Sequence, residues 1–160
     1  MPIIVHEIYI EAPIEVCFDL ARDIDVHMKT TNETKERAVA GRTTGLIEIG
    51  ESVTWEAVHF GVRQRLTSKI TKMERPYSFT DEMVKGAFHS FIHTHEFRAS
   101  GTGTMMKDTF SYKSPLGILG VVADKLLLER YMRKFIVHRA NELKKIAESQ
   151  SATGPRELTN

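Results

Sequence analysis

The middle of this chain is divided into six strand-length segments, and this division limits its possible folds more than any other feature. Turn signals rich in Gly, Pro and polar residues separate the segments, which span 36–40, 51–60, 62–73, 77–84, 88–99 and 104–113. Connections this short join neighbouring strands as hairpins. The spacing therefore predicts an antiparallel meander.

Other elements flank these strands. Residues 3–10 are β-branched and aromatic, which predicts a first strand, and Pro13 is well placed to begin a helix. Asp23 is placed to cap a second short helix that ends near Thr30. Apolar residues recur at helical spacing from 116 to about 149, which predicts a long final helix. The stripe comprises Leu128, Met132, Ile136, Ala140, Leu143 and Ala147.

A long amphipathic helix laid across a curved sheet buries the apolar face of each. The expected fold class is α+β, a helix-grip fold in which a curved antiparallel β-sheet wraps around a long C-terminal α-helix, with two short helices after the first strand. We expect a single domain over 1–149. Residues 150–160 lack periodicity, so we expect them to form a disordered tail.

Composition excludes several classes of function. Lys plus Arg number 22 against 21 for Asp plus Glu, so the net charge of +1 gives no electrostatic basis for binding nucleic acid. No stretch reaches the roughly 18 uncharged apolar residues of a membrane span. The single cysteine, Cys17, excludes an intramolecular disulfide and fits a cytoplasmic protein.

Five segments carry a resemblance to a known family. They are IYIEAPIEVCF at 8–18, VTWEAVHFG at 53–61, PYSFTD at 76–81, FIHTHEF at 91–97 and DTFSYKSPLG at 108–117. Together they resemble the bacterial SRPBCC, or polyketide cyclase/dehydrase-like, branch of the START and birch-pollen-allergen superfamily, over residues 1–148. The resemblance implies the helix-grip fold, whose members include lipid and hormone binders, cyclases, dehydratases and chaperone activators.

Strand alternation predicts which side chains face the final helix. On residues 88–99 the inward set is the one that contains the aromatic side chains Phe91 and Phe97. The same test on the other strands places seven polar groups inward, namely His59, Gln64, Asp81, His93, His95, Asp108 and Tyr112. Polar groups in a dry interior must pair. We expect them to line a partly hydrated pocket, or alternatively to satisfy one another within the core.

The favoured function is binding of a small hydrophobic or amphipathic molecule, with no cofactor. Apolar walls with a few polar groups are typical of ligand sites. The predicted ligand-binding residues are Trp55, His59, Gln64, Asp81, Phe91, His93, His95, Met106, Asp108 and Tyr112.

Two other functions remain open. The first is a cyclase or dehydratase whose candidate catalytic residues are His93, His95, Asp108 and Tyr112, because these groups can move a proton or stabilise an oxyanion. The second is an interaction module in which the apolar segment 116–128 contacts another protein or a second copy of the chain in a homodimer.

His93 and His95 also raise the question of a metal. Residues i and i+2 lie about 6.6 Å apart on one strand face, so two imidazoles could converge on an ion, with His59 or Asp108 as a third ligand. Hydrogen bonds to neighbouring carboxylates are the more usual role of such pairs in a sheet. We therefore expect no metal.

Overall fold

The structure is a computed structural model and describes residues 1–114 and 127–153. Its elements, in chain order, are β1 Ile3–Ile10, α1 Ile14–Ala21, α2 Ile24–Thr30, a 3₁₀ turn Asn32–Thr34, β2 Arg37–Gly41, β3 Ser52–His59, β4 Val62–Glu74, β5 Ser78–Lys85, β6 Ser90–Ser100, β7 Gly103–Lys113 and α3 Glu129–Ala152. Each of the six central strands begins and ends within two residues of its predicted bounds.

The seven strands form one sheet in the order β1-β7-β6-β5-β4-β3-β2, and every neighbouring pair is antiparallel. The meander runs from β2 to β7, and β1 pairs with β7 at its far side. The sheet is curved and carries a long C-terminal helix and two short N-terminal helices. The predicted helix-grip fold is confirmed.

Irregularities in strand pairing accompany this curvature. The register shifts between Ala38 and Ala40 of β2 and at two places in β4. Such bulges bend a strand and increase its twist. Gly41 ends β2 with a φ of 73°, and a Cβ atom there would lie 2.2 Å from the carbonyl oxygen of Ser52, so only glycine fits without a shift.

The two short helices pack against the sheet and against α3. Phe18 of α1 is 1% exposed and meets the rings of Phe79 and Phe97 edge-on, with ring centroids 5.6 Å apart in both pairs. Asp23 caps α2 as predicted, because its Oδ1 accepts hydrogen bonds from the backbone N–H groups of Asp25 and Val26. Cys17 is buried in α1.

The final helix packs its apolar stripe against β1, α1 and α2. The buried residues of this stripe are Met132, Ile136, Ala140, Leu143 and Ala147, all of which the helical periodicity predicts. Lys144 donates a hydrogen bond of 2.7 Å to the backbone carbonyl of Tyr9 and so ties α3 to β1.

The two ends of this helix differ from the predicted range. The described helix starts at Glu129, and residues 115–126 lie outside the described residues, so most of the predicted interaction segment 116–128 does too. At the other end, the helix continues to Ala152 rather than stopping near 149. The hydroxyl of Thr153 donates to the carbonyls of Ser149 and Gln150, which satisfies the last turn. Residues 154–160 of the predicted tail lie outside the described residues.

Among the helices of the described residues, none is long and apolar enough to cross a membrane.

Candidate functional site

The predicted alternation of faces holds on the central strands. On β6, Phe91, His95 and Phe97 are buried, whereas Ile92 between them is 42% exposed. A one-residue shift in register would exchange these two sets. The polar groups that the sequence predicts to face inward therefore lie on the concave side of the sheet.

A pocket of about 510 Å³ lies between this concave side and the start of α3, and we call it the sheet–helix pocket. Aromatic side chains make up much of its wall, namely Trp55, Phe60, Phe88, Phe91, Phe110, Tyr131 and Phe135. Its main polar groups are His27, Glu36, His59, Gln64, Asp81 and His93. The wall is thus mostly apolar with a few grouped polar side chains.

The structure divides the predicted ligand-binding residues into two sets. Six of them line the sheet–helix pocket, namely Trp55, His59, Gln64, Asp81, Phe91 and His93. The other four, His95, Met106, Asp108 and Tyr112, face inward but do not line it, because neighbouring side chains cover them. Phe79, for example, stacks on His95 with ring centroids 4.4 Å apart.

Four of the predicted polar residues form one network on β5, β6 and β7, which we call the Asp–His network. Asp108 Oδ1 lies 2.6 Å from His95 Nδ1 and 3.4 Å from His93 Nε2. On the opposite side of the same ring, His93 Nδ1 lies 4.0 Å from Asp81 Oδ1. The network therefore runs from the buried Asp108 to Asp81 on the pocket wall.

Burial and charge set the ionisation of this network. Burial lowers the pKa of His95 to about 3, so its imidazole is neutral near neutral pH. Burial would raise the pKa of Asp108, but the two imidazoles beside it more than offset that effect and hold the pKa well below its usual range. Burial raises the pKa of Asp81. Asp108 is accordingly the ionised acceptor at the centre of the network.

A second network lines the pocket, and the sequence analysis did not predict it. Glu36 Oε2 lies 2.5 Å from His27 Nε2, and Glu36 Oε1 lies 3.9 Å from His59 Nε2. His59 Nδ1 in turn lies 2.6 Å from the hydroxyl oxygen of Tyr131. His27 also stacks on Trp55, with ring centroids 4.1 Å apart.

These residues come from four separate parts of the chain, so no local spacing marks them as a group. The sequence gives only weak local signals for two of them. Glu36 directly precedes β2, and Tyr131 is next to Met132 of the predicted helical stripe. Burial lowers the pKa of His27 and that of His59. Burial alone would raise the pKa of Glu36, but the charge of His27 and its hydrogen bond lower it overall.

Three members of the Asp–His network carry side chains of the kind that bind metal ions. Asp81, His93 and His95 each offer one ligand atom, and these atoms lie within 4.8 Å of one another. The third candidate is thus Asp81, rather than the predicted His59 or Asp108. Two tetrahedral ligands about 2 Å from one zinc ion lie about 3.3 Å apart. The distance of 4.0 Å between Asp81 Oδ1 and His93 Nδ1 would have to shorten.

A curved antiparallel sheet closed by a long C-terminal helix, with a pocket between them, defines a helix-grip protein of the birch-pollen-allergen type. Within that class, the chain belongs to the family described as polyketide cyclase/dehydrase and lipid transport, whose profile matches residues 10–136.

Solved structures support the same fold. A Thermus thermophilus protein, TTHA0849, is 22% identical with a TM-score of 0.76, and the match covers 96% of this chain and 100% of that one. Major latex-like protein 151 of Panax ginseng is 12% identical with a TM-score of 0.68, covering 91% and 97%. The di-domain ARO/CYC protein StfQ of the steffimycin biosynthetic pathway is 10% identical with a TM-score of 0.74, covering 94% and 52%. A comparison with curated proteins gives no match.

Proposed function

We propose that this protein binds a small hydrophobic or amphipathic molecule in the sheet–helix pocket. The observation that carries the proposal is the pocket itself. Its volume of about 510 Å³ falls within the roughly 300–1,000 Å³ of small-molecule sites, and its wall is largely aromatic with a few polar groups. The family includes lipid transport in its description, which supports the same function.

The sequence offers a matched pair of variants that test the location of the site. Ala57 lies on β3 with its side chain against the pocket, whereas its neighbour Val58 points outward and is 38% exposed. Ala57→Phe would fill part of the pocket, and Val58→Phe would add the same ring at the surface. Fluorescence of the neutral probe N-phenyl-1-naphthylamine reports binding.

We expect the probe to bind the unmodified protein and Val58→Phe alike, and to bind Ala57→Phe at least tenfold more weakly. Thermal denaturation of both variants checks that they fold. Native mass spectrometry of protein purified from its own source should also show a retained small molecule. Equal affinity in all three proteins would show that the probe binds elsewhere and would contradict the proposal.

A specific observation also favours a second candidate function, catalysis of an aldol-type cyclisation or dehydration. His93 lines the pocket while Asp108 lies 3.4 Å behind its Nε2 atom, which is the arrangement of an oriented general base. His93 Nδ1 would take a proton from a carbon beside a carbonyl, and the resulting enolate would attack a second carbonyl carbon. The proton would then return to the new alkoxide oxygen. Tyr131 lines the pocket and could donate to that oxygen, whereas the predicted donor Tyr112 does not line it.

Turnover separates these two functions. A linear poly-β-ketone thioester incubated with the protein should yield a cyclised product by mass spectrometry if the protein is an enzyme. His93→Gln should then abolish the product while leaving the affinity for the probe within about twofold. Binding without product would leave the carrier function alone.

The remaining expectations fit this proposal. A buried, single Cys17 suits the cytoplasm, and binding in the pocket requires no cofactor. Dimerisation through 116–128 is a prediction that the protein's mass in solution can test.

A further inference from the structure

The Asp–His network presents hydrogen-bond acceptors to the pocket, and Asp108 is the reason. A carboxylate only accepts hydrogen bonds, so the imidazole nitrogens that face Asp108 carry their protons. His95 Nδ1 lies at a hydrogen-bond distance of 2.6 Å, whereas His93 Nε2 lies at 3.4 Å without hydrogen-bond geometry, so its attraction to the carboxylate is electrostatic. In the tautomer that Asp108 favours, the other ring nitrogen of His93, Nδ1, carries a lone pair and faces Asp81 on the pocket wall.

Asp81 adds a second acceptor at the same place. Its Oδ1 atom is buried, lies 4.0 Å from His93 Nδ1 and has no hydrogen-bond partner among the described residues. The side chain as a whole is 20% exposed and lines the pocket, so a bound molecule would reach the exposed part of the carboxyl group rather than Oδ1. Leaving a buried carboxylate oxygen unsatisfied is costly, and more so for a charged group than for a neutral one. A hydrogen-bond donor placed beside Asp81 and His93 would therefore be stabilising.

The rest of the pocket does not supply a free positive charge. Arg65 is the one lysine or arginine among the described residues that line it, and its Nε donates to Glu56 at 3.0 Å on the outer side of the sheet. Arg139 of α3 does not line the pocket; its charge acts on Asp81 and Glu36 from behind the wall, and its Nη2 donates to a backbone carbonyl at 3.1 Å. Glu36 contributes a second carboxylate to the wall and is engaged with His27. The two carboxyl groups on the wall itself, with the arginine outside it, thus disfavour an anionic ligand.

We infer that the ligand is an aromatic or similarly flat apolar molecule whose polar end donates a hydrogen bond to Asp81, through a hydroxyl or an ammonium group, and is not a carboxylate. This inference rests on the proposed function and names the class of molecule bound. Phe91 and Phe110 stand beside His93 on the same concave face, where their rings would contact the body of the ligand.

Four naphthalene derivatives that differ only in the polar end test this inference by isothermal titration calorimetry at neutral pH. 2-Naphthol and 2-naphthylmethylamine donate, 2-methoxynaphthalene only accepts, and 2-naphthoic acid is an anion. We expect 2-naphthol to bind at least tenfold more tightly than 2-methoxynaphthalene, because the naphthol hydroxyl donates to the carboxyl group of Asp81 whereas the methoxy oxygen leaves that group unsatisfied, a difference of about that size. The naphthoate should bind most weakly. Whichever of the naphthol and the amine has the higher affinity shows whether the pocket prefers a hydroxyl or an ammonium donor.

Asp81→Asn and Glu82→Gln form a matched pair for this experiment. Glu82 is the next residue on β5 and does not line the pocket, so both changes remove one carboxylate but only one of them alters the wall. Asp81→Asn should reduce the preference for naphthol to about twofold and strengthen naphthoate binding. Glu82→Gln should retain the original preference.

Three outcomes would overturn the inference, and they differ in what they say of the proposed function. If naphthol and methoxynaphthalene bind equally, the donor is not recognised but the pocket does bind ligand. If none of the four compounds binds, the proposed function fails and the inference fails with it. Stoichiometric Zn²⁺ binding that displaces naphthol and is lost in Asp81→Asn would assign the two lone pairs to a metal ion instead.

Discussion

The Nδ1 atom of His59 lies 2.6 Å from the hydroxyl oxygen of Tyr131, and this contact joins the end of β3 to the start of α3 beside the pocket. Phe60, which has a φ of 50°, follows His59 in the β3–β4 turn and packs its ring 4.6 Å from that of Tyr131. The hairpin and the helix are therefore linked at the wall that a ligand would meet.

Tyr131→Phe should weaken that link without changing the shape of the pocket. A hydrogen bond of this kind contributes about 1 kcal/mol to the free energy of unfolding, and urea denaturation measures the loss. Tyr77→Phe is the control, because Tyr77 is 57% exposed and its change should stay within about 0.5 kcal/mol. Equal effects of the two variants would show that the contact with His59 does not stabilise the fold.

The lowered pKa of His95 predicts how stability depends on pH. Its pKa is about 3 in the folded protein and about 6.5 in the unfolded chain, so below pH 6.5 the unfolded chain binds more protons. The free energy of unfolding should therefore fall as the pH falls from about 6.5 toward 5. This group alone contributes up to about 1.4 kcal/mol per pH unit, a limit reached as the imidazole of the unfolded chain becomes fully protonated.

His95→Gln removes that contribution, so its stability should vary less with pH than that of the unmodified protein over the same range. The difference between the two curves isolates His95 from His27 and His59, whose pKa values burial also lowers. The exposed His89→Gln substitution serves as the control and should preserve the original slope. Parallel curves for His95→Gln and the unmodified protein would contradict the prediction.

Asp108→Asn should destabilise the protein and change which ring nitrogen of His93 carries the proton. The ionised carboxylate lies close to two imidazoles in the core, and its replacement by a neutral amide would weaken both contacts at a cost of about 2 kcal/mol. NMR of the imidazole nitrogens should also show His93 leaving the form protonated at Nε2.

Glu96→Gln is the matched control for Asp108, because Glu96 is exposed on the outer face of β6. It should change neither the stability by more than about 0.5 kcal/mol nor the imidazole signals. An Asp108→Asn protein with unchanged His93 signals would show that Asp108 does not set which nitrogen carries the proton.

Two glycines with the same φ allow the cost of backbone strain to be measured separately from the cost of a steric clash. Gly41 and Gly61 both have a φ of 73°, but a Cβ at Gly41 would meet the Ser52 carbonyl oxygen at 2.2 Å, whereas one at Gly61 would meet nothing within 4 Å. Gly61→Ala should cost about 1 kcal/mol, the penalty for the left-handed conformation alone. Gly41→Ala should cost clearly more by urea denaturation, and equal losses would argue against the close approach at Gly41.

Periodicity in the sequence was enough to predict the fold and the faces. Alternation on β6 separates Phe91, His93 and His95 from Ile92, and helical spacing identifies the buried stripe that includes Met132 and Ala147. Both follow from backbone geometry, which repeats along a strand or helix whatever lies opposite it.

Only the tertiary structure decided which of the inward polar groups line the pocket. Asp81 and His93 line it, whereas Asp108 is buried beneath, although alternation assigns all three to the same face. The network of His27, Glu36, His59 and Tyr131 joins four separate parts of the chain. Its members come together because α2, the start of β2, β3 and α3 pack against one another. The periodicity of one element depends only on its own backbone, so it cannot predict contacts between elements.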